Sequence, residues 1–364
     1  MYTVGIIGLG HVAAMYSDPD DPAPYCHVGG IRRSGKVRLA AVADISKDAR
    51  EAFRQRWGGC FPKLKYYENF RAMWDAGGLD VVGVCVRGPH HFQVMMEVIE
   101  AGPKAIFLEK PPSCSLREAD TMIAAAGAKK IPITVSYSRH WAPHVLRLQE
   151  LVAGGLIGKV AKVVGYTGHT FLSFASHTTD LICQFAGYDP KAIFARGRAA
   201  GSAPEGYEPE PALEASVIEF GSGAIGFQVN AEGLYGGFYA EVFGENGYVR
   251  AGIYTPAFAR TPQGPIDLAA LGMPANDSVF RVAYDQIADH LDGGAPPHCT
   301  DAGWHAVNEL GFAGIESALT GATAKCGDAA AVRRGQPPGA RMSSATPQRR
   351  RHLTCLHIRH DTWR

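Results

Sequence analysis

Apolar positions in the first 138 residues follow two alternating patterns. Residues 3–7, 38–43, 81–86, 105–108 and 133–136 are short, nearly continuous apolar runs, most of them rich in β-branched side chains, as strands buried on both faces require. Between them, residues 49–57, 70–76, 92–101 and 116–129 space their apolar side chains near 3.6, which predicts helices with one buried face. Strand and helix in regular alternation predict βαβ units and an α/β fold with a doubly wound parallel sheet.

Beyond residue 138 the pattern changes. A linking helix is predicted over 143–153, closed by Gly154-Gly155, and longer strand-like runs follow at 159–166, 192–198, 215–220, 224–231, 239–243 and 248–251. Gly221-Ser222-Gly223 and Glu245-Asn246-Gly247 suit hairpin turns. Helices are predicted at 174–185, 279–291 and 302–319. The expectation is an α+β domain with an open, mostly antiparallel sheet and helices on one face. From residue 326 the periodicity vanishes and Arg349-Arg350-Arg351 lies among Pro and Ser, which predicts a disordered basic tail. The domains are therefore expected at 1–138, 139–325 and 326–364.

Bulk properties narrow the partners. The chain has 364 residues, more than the roughly 250 to 300 that one core supports, so two domains are required. A formal net charge of +1 supplies no field to recruit nucleic acid or an anionic membrane and favours a small molecule. No apolar run reaches the roughly 20 residues of a membrane span, and the start runs straight into the first strand, so a cytoplasmic protein is expected. The eight cysteines form no C-x-x-C pair, which argues for reduced thiols and no metal site.

Gly8-Leu9-Gly10-His11-Val12-Ala13 directly follows the first strand and opens a predicted helix. This is G-x-G-x-x-A in the setting where it holds a dinucleotide pyrophosphate: a tight turn, a bare backbone, then unpaired amides at a helix start. The N-terminal domain is thus expected to be a Rossmann domain. Asp44 ends the second strand, where its carboxylate can accept from ribose hydroxyls and repel a 2′-phosphate. NAD is the expected cofactor, with NADP left open because Ser46 and Lys47 stand nearby. Asp44 lies further from the glycines than usual, and the excess, residues 17–25, holds three prolines and is read as a loop inserted into the first crossover.

Glu109-Lys110-Pro111-Pro112 ends the strand at 105–108, on the edge where open α/β sheets bind ligands. There Lys110 can donate to an oxygen that gains negative charge during hydride transfer. With Pro89 and His91, Tyr137-Ser138-Arg139, Ile157-Gly158-Lys159-Val160, His177-Thr178-Thr179-Asp180 and Gly244-Glu245-Asn246-Gly247, these residues make the sequence resemble the Gfo/Idh/MocA family, which includes glucose-fructose oxidoreductase and inositol dehydrogenase. The likeness runs to about residue 325.

The resemblance implies an NAD(P)-dependent dehydrogenase or reductase acting on a secondary alcohol or ketone of a sugar, inositol or related metabolite, built as a homo-oligomer, a dimer or tetramer. It implies that Lys110 orients substrate and that His177 is the general acid/base, a task suited to a side chain with an unperturbed pKa near 6.5. Cofactor contacts are assigned to Gly8, Gly10, His11, Val12, Asp44, Val86, Arg87, His91, Glu109 and Lys110. Substrate contacts are assigned to Lys110, Arg139, Trp141, Tyr166, His177 and Asp180, with His169 a further candidate. One position departs: four residues before His177, where the family's fullest catalytic pattern has aspartate, stands Ser173. Two other functions stay open at this stage, an NAD-retaining glycoside hydrolase and a dinucleotide-binding sensor without turnover.

Overall fold

The computed structural model describes residues 1–198, 208–231, 237–327 and the pair 353–354. The first sheet is built from β1 Tyr2–Ile7, β2 Val37–Ala43, β3 Lys65–Tyr67, β4 Val81–Val84, β5 Ala105–Leu108 and β6 Ile133–Val135. All six are parallel, in the order β3-β2-β1-β4-β5-β6. This is the doubly wound arrangement expected, and its strand order reverses between β1 and β4, opening a crevice at their carboxyl ends. The connecting helices are α1 His27–Arg33, α2 Lys47–Trp57, α3 Phe70–Asp75, α4 Gly88–Ala101 and α5 Leu116–Ala128. β3 escapes the apolar pattern because its Lys-Tyr-Tyr lies at the sheet edge, where one side of the strand needs no burial.

The first crossover departs from expectation. The glycine motif opens only a single π-type turn, His11–Met15, and the helix resumes at α1. Pro19, Pro22 and Pro24 lack the amides that a continuous helix needs, so the intervening segment leaves the helix path as a loop.

A short 3₁₀ turn, Ser138–Trp141, leads to α6 Pro143–Ala153 and the second sheet. Its strands are β7 Val160–Thr167, β8 Pro190–Arg198, β10 Ala212–Phe220, β11 Ile225–Asn230, β12 Tyr239–Gly244, β13 Gly247–Gly252, β14 Phe258–Thr261, β15 Gly264–Pro265 and β16 Ala324–Lys325. They lie in the order β15-β14-β13-β12-β7-β11-β10-β8-β16, antiparallel throughout except for the parallel pair β7 and β11. The helix α7 Ser176–Ala186 packs on this sheet, and Gly165 and Gly226 leave room for Ile182, whose side-chain carbons come within 2.9 Å of a Cβ built at either glycine. The long α9 Asp301–Thr320 covers β8, whereas α8 Val279–Leu291 crosses back to pack on α1 beside the first sheet. That return brings Phe280 and Tyr284 under the carboxyl end of β5.

The tail predicted to be disordered lies outside the described residues, apart from Cys326, Gly327 and β17 Leu353–Thr354, which pairs in parallel with β9 Glu208–Pro209. Among the described residues no helix is long and apolar enough to cross a membrane.

Candidate active site

At the end of β1, Gly8 takes φ +85°, and a Cβ there would lie 2.8 Å from the Cys85 carbonyl carbon and oxygen. Only glycine fits this crossing of β1 over the loop that follows β4. Gly10 differs, because a Cβ built on it meets nothing within 4 Å. The chain has left that space empty on the side where His11 and Val12 begin a turn, and the first amides of a turn have no acceptor inside it. A bare backbone facing open space beside such amides fits a pyrophosphate. Asp44 Oδ2 accepts from the Leu9 amide at 2.8 Å and Oδ1 from the Ser46 amide at 2.8 Å, which locks the carboxylate against the glycine turn. Ser46, rather than Asp44, caps α2, through a bond from the Ala49 amide.

Val86 and Arg87 border the same crevice from the β4 side, Val86 half-buried and Arg87 exposed at the start of α4. His91 is placed differently from the expectation of a cofactor contact. It is fully buried, with Nδ1 2.8 Å from the Pro111 carbonyl and Nε2 2.8 Å from that of Val86, and it ties the lysine loop to the end of β4. Burial, opposed by those carbonyls, holds its pKa below the ordinary histidine value.

The Lys110-Pro111 bond is cis. Glu109, buried at the strand end, bonds His27 Nε2 at 2.9 Å, and His27 Nδ1 faces the Tyr284 hydroxyl at 2.9 Å. Burial pushes the Glu109 carboxyl up, but the His27 bond, the His27 charge and the Lys110 ammonium outweigh it and hold its pKa below the usual glutamate value. His27 carried no signal in the sequence, since α1 brings it under β5 only after the inserted loop. Lys110 Nζ reaches across to the second sheet's side, donating to the Ser173 carbonyl at 2.8 Å and lying 5.5 Å from the centre of the Phe174 ring.

Ser173 belongs to a second π-type turn, Phe171–Ala175, that leads directly into α7 and His177. The turn is anchored by a residue the sequence did not flag. Glu210, 2% exposed, accepts from the Leu172 amide, from the Ser173 amide at 3.1 Å and from the Ser173 hydroxyl at 2.8 Å. A carboxylate thus stands next to the position where the family's aspartate is missing. Burial drives the Glu210 pKa up to about 7 against the pull of these three donors.

Because the folded form holds its proton above the pH where the unfolded chain releases it, stability should fall as pH rises through the window from about 4.5 to 7. Unfolding by urea should show Glu210→Gln near wild-type stability at pH 4.5 and more stable by about 3 kcal/mol above pH 7. A difference that stays constant across that window would contradict the assignment.

The π-type turn that follows the motif glycines, the lysine and α7 meet around one cavity of about 670 Å³. Val12, Glu109, Lys110, Arg139, His169 and His177 line it, together with Phe174, Phe238, Tyr254 and Phe280. His177 presents its ring between Tyr137 and Phe238, edge to face, at 6.5 and 6.0 Å. The inserted loop borders the cavity: Ala23 and Tyr25, with Tyr16 just before the loop, form part of its wall, and Tyr25 donates to Ser138 Oγ at 2.6 Å.

Three residues expected at the substrate lie elsewhere. Trp141 is 1% exposed and packs on Phe107 in the core. Tyr166 points to the face of β7 opposite Gly165 and Thr167, stacks on Tyr239 at 4.5 Å and bonds Glu241 at 3.1 Å. Asp180 is fully buried and accepts from His140 at 3.1 Å, Gln184 at 2.8 Å and Tyr188 at 3.2 Å. One of its oxygens, His140 Nδ1 and the Cys299 sulfur lie within 4.8 Å of one another. The group fastens the Ser138–Trp141 turn to α7, and so fixes Arg139 relative to His177.

Comparison with known proteins agrees with this architecture. Residues 2–137 match the GFO_IDH_MocA model, described as an oxidoreductase family with an NAD-binding Rossmann fold. Over that N-terminal domain the chain is similar to the Gfo/Idh/MocA oxidoreductases. It is similar to myo-inositol 2-dehydrogenase of Thermotoga maritima, 24% identical over 264 residues that cover 68% of this chain and 74% of that protein. Its fold is shared with an Agrobacterium radiobacter oxidoreductase solved with NAD+, L-tartaric acid and magnesium, at TM-score 0.72, 16% identity and coverage of 89% and 98%. An aldose-aldose oxidoreductase of Caulobacter crescentus complexed with glycerol matches at TM-score 0.71 and 19% identity, over 89% and 99% of the two chains. The chain is an NAD(P)-dependent dehydrogenase.

Proposed function

We propose that the enzyme transfers hydride between a nicotinamide and a secondary alcohol, or the matching ketone, of a sugar, inositol or sugar-derived metabolite. The observation that carries this reading is the shared cavity: Val12, in the turn that follows the motif glycines, Lys110 and His177 line it from three separate segments. Bound nicotinamide supplies the hydride acceptor or donor. Lys110 donates to the substrate oxygen and stabilises the charge that develops on it. His177 takes the hydroxyl proton as hydride leaves the carbon, and returns it in the reverse direction. The inositol dehydrogenase relative and the glycerol-bearing aldose oxidoreductase support a polyol substrate.

Asp44 supports NAD over NADP, because a carboxylate held against the glycine turn opposes a 2′-phosphate. NADH should bind at least about tenfold more tightly than NADPH, corresponding to roughly 1.4 kcal/mol. Equal or reversed affinities in a fluorescence titration would defeat this preference.

A panel of polyols and sugars with NAD, followed by NADH absorbance, tests the reaction. Oxidation of one class supports it. A protein that binds NADH and oxidises no member of the panel would remove the polyol and sugar reading. Assembly as a homo-oligomer is supported by Phe194, Val217 and Val229, large apolar residues exposed on adjacent strands of the second sheet. A monomer in light scattering would exclude that assembly.

A further inference from the structure

The cavity holds a cation that the reaction does not use. Arg139 lines it yet is only 2% exposed. Its Cζ lies 5.0 Å from the centre of the Phe238 ring and 5.2 Å from that of Tyr254, so aromatic carbon rather than water surrounds the charge. The guanidinium donates through Nη1 to Ser138 Oγ at 2.9 Å, a neutral acceptor already taken by the Tyr25 hydroxyl. Its Nε is buried without an acceptor among the described residues. A buried cation with one neutral partner and an orphaned donor is costly unless an anion joins it.

The cavity wall does not provide that anion. Its two carboxylates already have partners, Glu109 in His27 at 2.9 Å and Asp277 in Arg281. Among the described residues no carboxylate comes within ion-pair distance of Arg139. We propose that Arg139 recognises a carboxylate on the substrate, and that the substrate is therefore a sugar acid, a polyol carrying a carboxylate away from the carbon that is oxidised. This inference rests on the polyol reading above and narrows it.

Geometry selects carboxylate over a bulkier anion. A guanidinium is a planar fork that matches the two oxygens of a carboxylate, and the flanking rings confine approach to its open edge. His140, the next residue, is fastened to Asp180 on the helix that carries His177. The anion site and the proton-transfer site therefore sit on one clamped pair of elements, which fixes the span between carboxylate and reacting hydroxyl. The orphaned Nε gains an acceptor only when such a ligand arrives.

Calorimetric titration of the protein saturated with NADH tests this without requiring turnover. The probes are matched pairs: D-gluconate with D-glucitol, D-galactonate with galactitol, and D-glucuronate with D-glucose, with glucose 6-phosphate as the competing anion. At least one acid should bind about 10- to 100-fold more tightly than its neutral partner, as a charge-assisted bond predicts. Arg139→Gln should abolish that preference while NADH affinity and Tm stay near wild type, and Arg139→Lys should restore part of it. The inference is overturned if no acid outbinds its partner, if Arg139→Gln keeps the preference, or if the phosphate binds better than every acid. Turnover of neutral polyols without acid preference leaves the dehydrogenase reading standing and removes this one. Acid preference lost in Arg139→Gln, with no oxidation of any panel member, does the reverse.

Discussion

Replacing Lys110 with methionine should lower kcat by about 100- to 1000-fold, the loss expected when a donor to a developing oxyanion is removed. Methionine keeps an unbranched apolar stem of similar length against Phe174 and removes the ammonium that now donates to the Ser173 carbonyl. The proposed dinucleotide cradle stands apart, at the β1 turn that Asp44 braces, so NADH affinity should change by less than about threefold. A parallel His177→Ala variant should lose about 100- to 10,000-fold, because it removes the group that exchanges the hydroxyl proton. Steady-state rates with the substrate that the polyol panel identifies, set beside NADH titrations of the same variants, separate the two effects. Near-normal turnover in Lys110→Met would remove the ammonium from the chemistry, and an equal collapse of NADH binding would move it into the cofactor site.

The parts of this site that could be read from sequence are those whose geometry is local. A strand that ends in glycines, or in Glu-Lys-Pro, fixes within a few residues where its next side chains point. Gly8, Gly10, Asp44 and Lys110 accordingly stand at the crevice. The second sheet gives no such guarantee. Tyr166 is turned away from the cavity on parity alone, since its neighbours Gly165 and Thr167 face α7 and a strand alternates sides at every residue. Trp141 lies two residues from Arg139 in one tight turn, but that turn sends the first into the core and the second to the cavity. Asp180 sits one helical turn beyond His177, close in sequence, yet it is claimed by His140 from a segment forty residues earlier.

Residues that were missed have the same origin. Glu210 reaches Ser173 from across the second domain, and His27 reaches Glu109 from beyond the inserted loop. In both cases the pairing is made by the packing of distant segments, which neither hydrophobic periodicity nor motif spacing records. The fold was legible because burial repeats along the chain. The polar pairs that tune the site do not repeat.

The two motif glycines should separate fold from function. Gly8→Ala places a Cβ 2.8 Å from the Cys85 carbonyl carbon and oxygen at φ +85°. A left-handed backbone costs an alanine about 1 to 2 kcal/mol and overpacking costs about 1 to 3 more, so the variant should lose roughly 3 kcal/mol of stability. Gly10→Ala meets no protein atom within 4 Å and keeps an ordinary φ of −72°, so Tm should stay within about 2 °C of wild type. The methyl group would stand where the diphosphate must approach the backbone, and NADH affinity should fall by about 100-fold, or roughly 2.7 kcal/mol. Thermal unfolding and fluorescence titration on the two variants read both quantities. If Gly10→Ala bound NADH as wild type does, the space above that residue would not be the pyrophosphate cradle. Lost affinity in an otherwise stable protein would identify the open backbone at Gly10 as ligand space, because the substitution disturbs nothing else in the fold.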